Sequence, residues 1–175
     1  MKRKLAIIAS SLDVDSRSQL LARQALQVAH DRDITASLID LREFDIPLCG
    51  TVAGWESADA EKIRKVLKPA SHILFSLPIY NFDVNAAAKN IVELMGSDVF
   101  EAKIVGFICA AGGRSSYMSV LAFANSLMLD FRCWIAPRFV YATGEDFEGD
   151  TIKNGDIGDR IERLIEDLVV HGPKI

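Results

Sequence analysis

The sequence predicts an α/β protein with a doubly wound, five-stranded parallel sheet in the order 2-1-3-4-5 and helices on both faces. Three observations predict it. Short runs of consecutive apolar residues recur, as strands covered on both faces require. Segments with apolar residues three and four positions apart separate them. The two kinds of segment alternate five times along 175 residues, which is the pattern of a parallel sheet with crossover helices.

The first strand is the apolar run at residues 5–9, and the helix after it repeats Leu21, Ala25, Val28 and Ala29 behind Asp15 or Ser16 as N-cap. Residues 36–39 make a second short strand. Residues 41–57, with Pro47, Gly50 and Gly54, read as a long irregular loop carrying Trp55, and loops of that length are functional or interfacial. A helix over 58–67 ends before Pro69, which cannot continue it. The third strand, 72–75, feeds a turn at 76–83 and a helix that stops near Gly96. A fourth strand spans 103–109, broken by the segment 110–116, with a helix following to about Phe131. Residues 138–142 supply the fifth strand. The last helix places Ile157, Ile161, Leu164, Ile165, Leu168 and Val169 on one face.

Length and composition bound the possibilities. A chain of 175 residues has the size of a single domain, here residues 1–175, and 50% hydrophobic residues suit a large core with room for an oligomer interface. The formal net charge of −4, from 20 basic and 24 acidic residues, speaks against nucleic acid or a polybasic membrane contact. No apolar run approaches the roughly 20 residues a membrane span needs. Cys49, Cys109 and Cys133 are odd in number and lack metal-type spacing, which favours a reducing cytoplasm and no metal site.

In the order 2-1-3-4-5 a crevice opens between the carboxyl ends of strands one and three, where ligands bind. Three turns converge there. The first holds Ser10, Ser11, Asp13, Ser16, Arg17 and Ser18 at a helix N-terminus, where free amides and the helix dipole attract phosphate. Serine-rich turns are also ordinary caps, so this loop reads either as a phosphate cradle or as a structural turn. The second holds Pro78, Ile79, Tyr80, Asn81 and Phe82, whose amides and aromatic rings suit the edge and face of a flat ring. The third holds Ala111, Gly112, Gly113 and Arg114, where glycines permit close backbone approach or a positive φ. Neither dinucleotide nor triphosphate glycine motifs occur.

These residues carry a family resemblance. Residues 7–22 resemble the first-loop pattern of the NADPH-dependent FMN reductases, flavodoxin-like proteins that include flavin, quinone, azo-dye and chromate reductases. Residues 41–48 resemble the segment after that family's second strand. Pro78, Tyr80 and Asn81 with Lys89 and Asn90 resemble its Pro-Glu-Tyr-Asn and Lys-Asn elements, and Gly112, Gly113 and Arg114 its third loop. The chain departs at Ser10, where glycine is usual, at Asp13, where arginine is frequent, at Ile79, which replaces the glutamate, and at Asn85 and Ala86, which replace Pro-Gly.

The resemblance implies that Ser11, Ser16 and Ser18 bind the FMN phosphate. It places Pro78, Tyr80 and Asn81 at the flavin, and Gly112, Gly113 and Arg114 at its pyrimidine side. It further implies NADPH or NADH as hydride donor, a small-molecule electron acceptor, no catalytic side chain beyond those holding the flavin, and a homodimer or homotetramer. The alternative reading is a flavodoxin-fold electron carrier, or an interaction module without cofactor.

Other residues read as structural. His30, His72 and His171 are scattered, and Cys109 reads as a buried inert thiol beside the site. The acidic run 145–150 reads as a solvated turn. Trp55 and Tyr117 are candidates for contact with the flavin or a neighbouring subunit.

Overall fold

The computed structural model describes residues 3–153 and 155–170. Five parallel strands, β1 (Lys4–Ala9), β2 (Thr35–Asp40), β3 (His72–Tyr80), β4 (Ile104–Ala111) and β5 (Trp134–Thr143), stand in the order β2-β1-β3-β4-β5. The expected topology is therefore the observed one. A two-residue strand, Asp83–Val84, pairs antiparallel with the end of β3 and makes the sheet six-stranded. Phe147–Glu148 and Thr151–Ile152 form a separate two-stranded ribbon within the acidic segment that the sequence presents as a plain turn.

The main helices are α1 (Arg17–Asp31), α2 (Ala58–Leu67), α3 (Ala86–Phe100), α4 (Leu121–Phe131) and α5 (Gly155–Ile165), the last running on into a π-helical turn, Glu166–Val170. Side chains alternate across a strand, so Leu5 and Ile7 point to one face of β1 while Ala6 and Ile8 point to the other. The first face is covered by α1 and α5, the second by α2, α3 and α4. Phe75 centres the second face, with ring centroids 6.0 Å from both Phe100 and Phe107 and 5.4 Å from Phe123.

Three element boundaries differ from expectation for physical reasons. First, β3 runs on to Tyr80, beyond the expected end at residue 75, with Pro78 inside it. Backbone polar groups alternate sides along a strand, and Ser76 turns its carbonyl to Ser10 on the β1 side. The missing N–H of Pro78 therefore faces the side where β1 pairing has already ended at Ala9 opposite Ser76, and no ladder bond is lost.

Second, β5 begins at Trp134 and contains Pro137, which it tolerates as an edge strand with a register shift opposite Val105 to Phe107. Third, α3 leaves helical geometry at Gly96 (φ 56°) but resumes to Phe100. The expected stop is thus a kink, at the one residue type that takes this φ without strain. The long loop at 41–57 holds a 3-10 turn, Leu41–Glu43, and a short helix, Val52–Trp55, and Trp55 is exposed.

Candidate active site

The carboxyl ends of β1, β3 and β4 meet at an open cleft of about 760 Å³. That volume lies within the roughly 300–1,000 Å³ of small-molecule sites. Each of the three expected turns contributes to its lining: Asp13, Ser16, Arg17 and Ser18 from the first, Pro78 to Asn81 from the second, Ala111 and Gly112 from the third. Asp15 and Ala110 line it as well.

The first turn is built around an uncapped helix. Ser16 occupies the N-cap of α1 but makes no side-chain bond to the helix amides. Its hydroxyl instead lies 2.8 Å from that of Ser18, and both residues are buried. The first-turn amides of α1 are thus without the side-chain acceptor an N-cap serine normally supplies, which is the arrangement an anion can complete. Arg17 sits over the Phe147 ring, 5.5 Å from its centroid, and among the described residues it has no ion-pair partner. Gly144 makes room for that guanidinium, since a Cβ there would fall 2.9 Å from Arg17 Nη1.

A charged network holds this turn in place. Asp40, at the end of β2, accepts from the Gln19 side chain at 2.8 Å and receives Arg42 in a forked pair, with Nε at 3.0 and 3.1 Å and Nη2 on Oδ2. Arg42 Nη1 continues to the carbonyls of Val14 at 3.2 Å and Asp13 at 3.4 Å. Burial alone would raise the Asp40 carboxyl, but the bonds from the Arg42 side chain and N–H and from Gln19 prevail and hold it below the usual carboxylate value. Gln19, Asp40 and Arg42 are residues that sequence reasoning missed. The available signal was a polar Asp-Leu-Arg step directly after a strand end.

The second turn is a two-residue hairpin. Asn81 (φ 52°) and Phe82 (φ 61°) both have positive φ, and Asp83–Val84 returns against Ile79 and Tyr80, the geometry of a type I′ turn. Asparagine accepts this conformation readily; phenylalanine does so at a cost. Tyr80 remains half exposed at the cleft. In the third turn, Gly112 and Gly113 do not use positive φ; Gly113 is extended at −160°. A Cβ on either would meet nothing within 4 Å. Packing within the protein does not require glycine there, and at Gly112 the open space belongs to the cleft.

Five expected residues lie outside the lining. The buried Ser10 hydroxyl donates to Asn85 Oδ1 at 2.7 Å, while Asn85 Nδ2 donates to the Ser10 carbonyl at 2.7 Å. This reciprocal lock ties the end of β1 to the start of α3. Ser11 is buried and its hydroxyl accepts from the Asp13 amide at 3.3 Å. Phe82 points to solvent. The Gly113 carbonyl accepts from Tyr141 Oη at 2.7 Å, and Arg114 extends to Glu145 at 3.4 Å along a neighbouring cavity.

Asn90 pins the long loop by accepting from the Cys49 amide at 2.8 Å and donating to the Pro47 carbonyl at 3.0 Å. Burial pushes the Cys109 thiol up to about 12, so it is not poised for redox work. His30 and His72 do not line the cleft, and His171 lies outside the described residues.

The strand order and the cleft at the β1/β3 switch point define a flavodoxin-like fold with its ligand crevice where such folds place it. The sequence model of the NADPH-dependent FMN reductase family matches residues 3–148. The chain belongs to that family, and it is a flavin-dependent NAD(P)H oxidoreductase. It is similar to an NAD(P)H-dependent FAD/FMN reductase of Geobacillus thermodenitrificans, 24% identical over 95% of this chain and 91% of that one. A solved apo NADH:FMN oxidoreductase has the same fold, with a TM-score of 0.82 at 14% identity over 99% and 91% of the two chains. So does an oxidoreductase from Corynebacterium diphtheriae, at 0.78 and 19% over 98% of each.

Proposed function

We propose that FMN lies in this cleft with its phosphate on Ser16, Ser18 and the amides opening α1, and its ring between Pro78 to Asn81 and Gly112. The observation that carries the reading is the N-cap serine that does not cap, set in the same cleft as the exposed Tyr80 and the open glycine. FMN, when bound, supplies the capacity to take up a hydride and pass electrons on. The protein's own work is then positional. Arg17 offsets the charge of Asp13 and Asp15 beside the phosphate. The hairpin at Asn81 and Phe82 fixes Tyr80 against the ring, and the bare backbone at Gly112 lets the ring approach the strand edge.

The open mouth of the cleft suits donor and acceptor taking turns at one face, with a quinone-like small molecule as acceptor. We further propose that residues 1–175 act as one domain in the cytoplasm. A homodimer is supported by exposed apolar side chains on the surrounding loops: Leu12 and Leu48 flank a groove of about 200 Å³ formed with Phe44 and Ile46. The test is a flavin titration followed by FMN-dependent NAD(P)H oxidation with a quinone, alongside sedimentation. Saturable FMN binding with turnover is expected. Binding without turnover would mark an electron carrier, and no binding would mark an interaction module.

A further inference from the structure

Tyr141 lies outside the cleft lining, yet its hydroxyl reaches the third turn. Residues two apart on a strand share a face, so Phe139 and Tyr141 of β5 both pack against the core on the side of α2, α3 and α4. Phe139 fills its place with a plain ring, edge-on to Phe107 at 5.6 Å. Tyr141 stands edge-on to Tyr117 at 5.3 Å and 89°, and it adds an oxygen that this packing does not need. The oxygen lies 2.7 Å from the Gly113 carbonyl and 2.7 Å from Ser116 Oγ. A phenol carries one proton and a carbonyl only accepts. Tyr141 therefore donates to Gly113, and Ser116 donates to Tyr141. The Ser116 carbonyl in turn accepts from Ser119 Oγ at 2.6 Å.

The turn held in this way has little else to fix it. The strand ladder ends at Ala111 opposite Thr143. Gly112 and Gly113 are exposed, and a Cβ on either would meet nothing within 4 Å, so packing does not hold them. Glycine also loses more freedom on ordering than any other residue. Arg114 reaches Glu145 at 3.4 Å, but both side chains are largely exposed and such a pair contributes little. The short bond from Tyr141 is different. Because the trans peptide is planar, fixing the Gly113 carbonyl also fixes the direction of the Arg114 N–H. Gly112, which lines the cleft, is the residue next to that held peptide.

We infer that Tyr141 is a positioning residue for the flavin: acting through the Gly113 carbonyl, its hydroxyl holds the Gly112 backbone in the one arrangement that receives the ring. The inference rests on FMN occupying the cleft. Tyr141 touches neither the phosphate nor the ring, and its effect is to order two glycines before the ligand arrives, so that binding does not have to.

The test compares the unsubstituted protein with Tyr141→Phe and Ser116→Ala by fluorescence titration of FMN and riboflavin. Tyr141→Phe keeps the ring packing and loses the bond to Gly113. It is expected to weaken both flavins about tenfold and by the same factor, because they share the ring. Ser116→Ala leaves the Tyr141 to Gly113 bond in place and should cost less than about threefold. At saturating FMN, where only loaded, folded protein is read, the visible circular dichroism of the bound flavin should fall in Tyr141→Phe, since an achiral ring shows it only when held in one orientation. Unchanged riboflavin affinity in Tyr141→Phe, an equal loss in Ser116→Ala, or an unchanged visible band would overturn the inference. If the unsubstituted protein binds both flavins and Tyr141→Phe matches it, this inference alone fails. Absence of FMN binding in the unsubstituted protein sinks the reading of the cleft itself.

Discussion

Replacing Arg42 with alanine tests whether the turn proposed to hold the phosphate is fixed from outside the cleft. The guanidinium forks onto Asp40 and reaches the Val14 and Asp13 carbonyls at 3.2 and 3.4 Å. Breaking a fully buried pair costs about 3–5 kcal/mol. Here the Arg42 and Asp40 side chains are 23% and 10% exposed, and Asp40 keeps its bond from Gln19. The expected loss is therefore about 2 kcal/mol, or roughly 4–8 °C in Tm for a chain of this size.

The sign of the pH effect follows from the depressed Asp40 carboxyl. The stabilisation is fully present above the ordinary carboxyl value of 3.8 and is lost as pH falls through the lower folded value, so measurement at pH 7 sees all of it. Freed of its tether, the turn no longer presents its amides in one arrangement, and FMN affinity should drop about tenfold, equivalent to 1.4 kcal/mol. Riboflavin, which lacks the phosphate, should bind the variant and the parent alike. Chemical denaturation gives the first quantity and flavin fluorescence titration the second. Arg42→Lys keeps a charge for Asp40 but cannot fork to the turn, so it should retain most stability and still lose FMN affinity. Equal losses for FMN and riboflavin in both variants, or none, would refute the reasoning.

Three further outcomes are expected. Ser16→Asp places a carboxylate beside the proposed phosphate position and should weaken FMN at least about tenfold, read by the same titration; unchanged affinity means the phosphate lies elsewhere. Asp13→Asn removes an acid from the cleft lining. For charges about 6 Å apart this relieves about 0.7–3 kcal/mol, so FMN should bind roughly 3- to 100-fold tighter while riboflavin does not change. His72 is buried with no partner for Nε2, and burial, assisted by the charges of Arg3 and Lys103, lowers its pKa from 6.5 to about 4. Because the unfolded chain binds the proton more readily, stability is complete above pH 6.5 and declines by about 3 kcal/mol as pH falls toward 4. His72→Leu should flatten this slope in thermal melts at pH 5 and 7.

The alternation of apolar runs with helix-periodic segments was enough to determine the strand order and the crevice between β1 and β3, because right-handed crossovers leave few other arrangements. Residue type and position at the strand ends were enough to bring Ser16, Ser18, Tyr80 and Gly112 to one cleft. What the sequence could not resolve was the direction of each side chain within a loop. Ser10 and Ser16 look alike as residues of one serine-rich turn, yet Ser10 is consumed by Asn85, 75 positions away, while Ser16 is left facing the cleft. Arg114 belongs by position to the third turn of the cleft, but the extended backbone at Gly113 carries it to the adjoining cavity. The tether from Asp40 through Arg42 to Val14 joins two separate stretches of chain, a link that neither periodicity nor local motif encodes. Local pattern fixes backbone topology because strand and helix periods are short-range properties. Hydrogen-bond partners far apart in the chain are chosen only when packing brings them within 3 Å of one another.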